Sequence, residues 1–195
     1  VMYNLTSSFS LRKSSFLTLS SLNVKLYNLV IIPILMAVAS NIKIFTPMSP
    51  VPFTMQTFIV FLTLFNTDKL TSFLSFSIYL ISGFSNLPFF ASARGAAIIF
   101  SPSFGFIVGF LASSFFANNI KEFSTKLKYI LRNILNDLFI IFIIYFFGYL
   151  NLLRFMDYKS AFIMGILPFV LFDFFKLIAS KIVSYFWNKN IISGF

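Results

Sequence analysis

The chain has 195 residues, of which 58% are hydrophobic and 31 are Phe; only 10% are charged, and mean hydropathy is +0.92. A soluble domain carries about 25% charged residues to wet its exterior, so this composition excludes a soluble globular protein and points to a membrane. Cys and His are absent and the acids number five, which removes disulfides, thiol and imidazole chemistry, and most of the material for a carboxylate metal site.

In chain order, residues 1–27 are rich in Ser and Thr, carry Arg12, Lys13 and Lys25, and lack a long apolar run. A cleaved signal peptide needs such a run close behind its charges. We expect a mobile cytoplasmic extension instead, followed by a membrane domain over 28–195. The first span is Asn28 to about Phe45, with Pro33 near its start. Pro47, Pro50 and Pro52 then form a connection that cannot continue a helix. A second span runs from about Phe53 to Phe65 and a third from about Leu70 to Gly83, separated by Asn66, Thr67, Asp68 and Lys69. Both are short against the ~20 residues that cross ~30 Å of hydrocarbon. They either cross in short form or make one re-entrant hairpin.

Ser85–Gly95, with Asn86, Pro88 and Arg94, reads as an irregular loop. The fourth span, Ala96–Ala117, contains Pro102, Gly105 and Gly109, so its first turns are expected to be broken. Asn118–Arg132 is polar; Ile130–Leu153 is the fifth span, with Asp137 near its start, and about Ala161–Phe186 is the sixth. The pattern predicts an all-α integral membrane fold of six transmembrane helices. Charge placement tests it, because short cytoplasmic loops are enriched in Lys and Arg. With the N-terminus inside, ten basic residues fall on the cytoplasmic side and four, Lys43, Arg94, Arg154 and Lys159, on the other. Both termini are therefore expected in the cytoplasm. The net charge of +10 fits basic loops facing anionic lipid.

The best functional clue lies in the last span, where Asp173 and Lys176 sit three residues apart in an apolar run. An ionisable group at membrane depth costs roughly 2.5–3.5 kcal/mol on insertion scales and calls for a compensating role. The plainer reading is mutual neutralisation across one helix face, but a pair that only cancels itself is replaceable by apolar residues. Arg94 has a plain reading too, snorkelling to the interface. Thr54, Gln56 and Thr57 at the head of the second span fit either a ligand site or helix-to-helix hydrogen bonds. Tyr185 and Trp187 fit an interfacial belt.

Four blocks of this chain carry a resemblance: Val51 to Phe58 (VPFTMQTF), Leu87 to Gly95 (LPFFASARG), Ser101 to Phe110 (SPSFGFIVGF), and Gly165 to Phe169 (GILPF) followed by Asp173 and Lys176. In order and spacing they are similar to the signature blocks of BioY, the biotin-specific membrane subunit of energy-coupling factor (ECF) transporters. The resemblance spans about residues 30–186. It implies an S-component-like bundle of six helices, without catalytic machinery, that captures biotin from outside and delivers it inward. The implied partners are a transmembrane coupling subunit and two cytoplasmic ATPase subunits of the ECF module, in the plasma membrane. It places the ligand-contacting acid and base on Asp173 and Lys176 and a further basic residue on Arg94. The chain departs from the pattern at Phe104 and Phe106, where a Gly and a Tyr are usual, and at Phe172, where a Gly is usual. Pro33 and Ile34 occupy positions where small docking residues are expected, leaving Ala37 and Ala39.

Biotin's ureido ring has two N–H donors and one carbonyl, its second ring is an apolar thioether, and its tail is a carboxylate. Asp173 can accept from the ureido donors, while Lys176 and Arg94 can donate to either end of the ligand. Gln56 is the candidate neutral partner, and Phe89, Phe90, Phe104 and Phe169 are candidate apolar walls. Three other readings stay open: a capture subunit for another small vitamin, a structural or assembly subunit without a ligand, and a lipid-directed enzyme. The last is disfavoured by the lack of His, Cys and paired acids. No Walker-type phosphate loop is present, so any ATP is hydrolysed by a partner.

Overall fold

The structure, a computed structural model, describes residues 3–116 and 126–193, with side chains over 22–116 and 131–186. The expected polar stretch 118–132 thus lies mostly outside the described residues. So do the side chains of Arg12, Lys13 and Trp187.

Helix α1 spans Tyr3–Asn41 and is followed by two short strands, β1 (Lys43–Thr46) and β2 (Ser49–Thr54). Helices α2 (Gln56–Asn66) and α3 (Lys69–Phe84) come next, then a 3-10 turn at Gly95–Phe100 and helix α4 (Phe104–Ser113). A long α5 (Lys126–Leu152), a short α6 (Tyr158–Gly165) and a long α7 (Leu167–Ser193) complete the order. The fold is mostly helical. Among the described residues three stretches, Leu22–Asn41, Leu131–Leu152 and Tyr158–Phe186, are long and apolar enough to cross a membrane. The helices over Gln56–Asn66, Lys69–Phe84 and Phe104–Phe116 are apolar but shorter. Bulky side chains such as Val30, Ile34, Leu35, Phe142, Leu171 and Phe175 are exposed around the outside, as suits a surface solvated by lipid.

The structure corrects the all-helical expectation at residues 43–54. Helix α1 stops at Asn41 rather than continuing to Phe45, and the proline-rich connection is an antiparallel ribbon pairing Lys43 with Thr54 and Ile44 with Phe53. Pro50 and Pro52 are tolerated there because both strands of a two-stranded ribbon are edges, where a missing N–H breaks few ladder bonds. The sixth expected span is also interrupted, at Ile166, because Pro168 has no N–H to carry a helix through from α6 into α7. The broken start foreseen for the fourth span is present as the 3-10 turn, and regular helix begins only after Pro102.

Caps fix two of the helix starts. Asp68 accepts from the backbone N–H and the hydroxyl of Thr71, each at 3.0 Å, and Asp157 accepts from the N–H groups of Lys159 and Ser160. Asp68 also pairs with Lys25 at 3.0 Å, tying the start of α3 to α1. The tightest helix contact is between α4 and α5. A Cβ at Gly105 would stand 2.3 Å from the Phe147 carbonyl oxygen, and one at Gly109 would stand 2.8 Å from Ile144 Cα. Spaced four apart, these glycines let the two backbones meet, as small residues do in membrane helix pairs. Helix α7 packs chiefly along α2, and α1 along α3.

Candidate functional site

The head of α2 follows directly from β2, so the ribbon delivers Thr54, Gln56 and Thr57 to the level of the N-terminal third of α7. There Asp173, 3% exposed, accepts three hydrogen bonds. Thr57 donates to Oδ1 at 2.7 Å, Lys176 to Oδ1 at 2.8 Å, and Tyr145 to Oδ2 at 2.9 Å. Lys176 Nζ donates further to the Thr54 carbonyl at 2.7 Å and to the Thr57 hydroxyl at 3.0 Å. The two charges therefore do pair with each other, but they pair on the wall of a half-open recess. That recess is also lined by Val51, Pro52, Gln56, Ala91, Ser92, Ser103, Phe106, Phe110, Tyr145 and Phe169. Much of the lining is apolar and aromatic, and polar groups enter it from β2, α2, α5, α7 and the segments at Ser92 and Ser103. Water-sized molecules have about 40 Å³ for their centres, room for a few waters at ~10–15 Å³ each.

Donor counting shows what remains for a guest. An ammonium has three N–H donors, and all three of Lys176 are engaged. Asp173 keeps one acceptor position, on Oδ2, out of roughly four. Gln56 accepts from Thr54 at 3.2 Å and donates to Tyr79 at 2.7 Å, leaving one amide N–H and one lone pair. Ser92 donates to Ser103 at 2.7 Å, so the Ser103 hydroxyl proton is unassigned. The recess thus offers both donors and acceptors against a dry aromatic wall.

Of the residues proposed from sequence, the structure brings Gln56, Asp173 and Lys176 together, along with Phe169. It puts Phe89 and Phe90 one layer behind. They flank Tyr79, with ring centroids at 6.2 and 5.5 Å, and the Tyr79 hydroxyl donates to the Phe89 carbonyl while receiving from Gln56. Phe104 packs against the core, and Arg94 is exposed at the start of the 3-10 turn; neither lines the recess. The aromatic wall comes instead from Phe106, Phe110 and Phe169, with Phe53 stacked on Phe169 at 4.2 Å. Sequence reasoning missed Tyr145. A Tyr inside an unbroken Ile/Phe helix was the available signal, since a buried phenol needs a partner. Tyr185, the describable part of the expected belt, is exposed and meets Phe186 edge-on.

Fold and site together define a helical membrane protein with a small recess of polar groups sunk among its helices. Comparison with known proteins gives the family. A sequence model of the BioY family matches residues 14–191. The biotin transporter BioY of Thermotoga maritima is 31% identical over 141 residues, covering 71% of this chain and 81% of that protein. The probable biotin transporter BioY of Pyrococcus horikoshii is 34% identical over 143 residues, covering 73% and 83%. Biotin transporter BioY2 of Lactococcus lactis is 32% identical over 166 residues, covering 80% and 87%. No solved structure matches. The chain belongs to the BioY family, whose named relatives are transporters rather than enzymes.

Proposed function

We propose that the protein takes up biotin, binding it in the recess walled by Asp173, Lys176, Gln56 and Tyr145, and that it works as a six-helix capture subunit in the plasma membrane. The observation that carries this reading is the buried Asp173–Lys176 pair set on the wall of an aromatic recess rather than sealed in packing. A ureido group suits the free capacity there: N–H donors for Asp173 Oδ2 and Gln56 Oε1, and a carbonyl for the remaining Gln56 N–H. Arg94, exposed and with no hydrogen bond or ion pair described for it, is our candidate for the ligand's carboxylate. Biotin is larger than the present space, so entry moves a wall. The ribbon residues Val51, Pro52 and Thr54 form the side with the least helix behind it.

In this reading an ECF coupling subunit and two ATPase subunits drive release inward. The buried positions of Ala37 and Ala39 leave Ile34, Leu35 and Val38 as the exposed face of α1 available to such a partner. The experiment is equilibrium binding of labelled biotin to the purified protein, with desthiobiotin and thiamine as competitors. Saturable binding displaced by desthiobiotin but not thiamine supports it. No binding at micromolar biotin contradicts it, and co-purification of a partner without biotin would favour an assembly subunit.

A further inference from the structure

A second ion pair lies on the same two helices as the recess, about 12 Å along each by helical rise. Tyr145 and Asp173 connect α5 to α7 at the recess; eight residues away on each helix, Asp137 and Lys181 connect them again. These are the two polar contacts described between α5 and α7. Their significance comes from what surrounds them. Helix α5 packs along α4 and α7 along α2, whereas the backbones of α5 and α7 scarcely approach each other. Long polar side chains, not close-packed backbone, set the width of this seam.

We propose that Asp137 and Lys181 are a positioning pair for the recess: by holding α5 and α7 at a fixed separation, they keep Tyr145 within reach of Asp173. The chain itself ties the two helices together through α6, at the end nearer the recess, and the Asp137–Lys181 contact holds them on the other side of it. Lys181 is well placed to set the spacing. Its ammonium lies 5.3 Å from the centre of the Phe65 ring on α2, and the next turn of α7 is joined to α2 by Asn66 donating to Ser184 at 2.7 Å. One end of the clasp is therefore anchored on the α2–α7 unit and the other on the α4–α5 unit. Asp137 is 5% exposed, and its Oδ1 has no partner, so Lys181 carries its only described ion pair. Asn133, one turn away on α5, also has a partnerless buried oxygen.

This inference rests on the proposed ligand for one of its two readouts, and the other is independent of it. The chain has no Cys, so a single Ser180→Cys change, at a fully buried position next to Lys181, reports on the packing around the clasp without background. In nanodiscs, the combined Asp137→Asn and Lys181→Gln variant leaves no unpaired buried charge and is expected to fold. It should bind biotin at least tenfold more weakly than the parent, and in it the Ser180→Cys thiol should react several-fold faster with a water-soluble maleimide. Lys181→Arg with Asp137 intact keeps an ion pair and should hold both values near the parent, whereas Lys181→Gln alone should not. Parental affinity in the neutralised variant, or an equally shielded thiol, overturns the proposal. If the parent itself fails to bind biotin, the ligand assignment falls, and the thiol rates alone decide the clasp.

Discussion

The α4–α5 seam and the α5–α7 seam share one helix and are built in opposite ways. On one side of α5, Gly105 and Gly109 bring backbone against backbone, with Phe106 seated over Gly148. On the other side the helices stand off, and Tyr145, Asp173, Asp137 and Lys181 bridge the gap. Close-packed interiors change little without large penalties, whereas side-chain bridges can part and re-form. The first seam is close-packed, and the second leaves the recess open beside the charged groups.

The sharpest way to break this contrast is to remove the cation from the open seam. Lys176→Met leaves Asp173 buried without its counter-charge, and loss of one partner of a buried pair costs about 3–5 kcal/mol. The thermal midpoint of the purified variant should fall well below wild type. In the tight seam, Gly105→Leu drives a side chain into the Phe147 carbonyl and should destabilise by about 3 kcal/mol, the upper end for overpacking. Its signature differs, because stability falls while biotin affinity per folded molecule is kept. Tyr145→Phe strips a hydrogen bond from the buried Asp173 carboxylate, so stability should fall by about 1.5–3 kcal/mol, the range for a hydrogen bond to a charged group, and biotin affinity should fall with it. If Tyr145→Phe leaves biotin affinity unchanged, as Gly105→Leu does, the two seams are not distinct.

The smallest expected effect lies away from both seams. Asp68→Ala removes the α3 cap and the Lys25 pair and should cost about 1 kcal/mol. Partial burial pushes the Asp68 carboxyl up, but the Thr71 backbone N–H, Lys25 and the Thr71 hydroxyl outweigh it and hold the group below its ordinary value of 3.8. A depressed folded-state value means the stabilisation is present above the unfolded carboxylate range and is lost as pH falls through the folded value. The wild-type advantage over Asp68→Ala should therefore shrink only in strong acid, measured by thermal melts across pH.

These contrasts also show what could be read from residues alone. Charges inside an apolar run stand out, so Asp173 and Lys176 were legible, as was the polar head of α2 with Gln56. The ribbon at 43–54 was not, because four- and six-residue strands with two prolines carry no clear alternation. Nor were the wall-forming phenylalanines. With 31 Phe in the chain, the choice of Phe106 and Phe110 over Phe89 and Phe90 depends on how α4 is rotated and how the loop after α3 folds, which composition does not encode. Tyr145 was hidden for a related reason, since its partner lies 28 residues away.

The central claim is that Asp173 is an acceptor held ready in the recess for a donor-bearing ligand. Side-by-side calorimetric titration of wild type and Asp173→Asn with biotin tests it directly. The account predicts saturable binding to wild type and an affinity weaker by one to several kcal/mol, roughly tenfold or more, in the variant. Equal affinity in both proteins would contradict it.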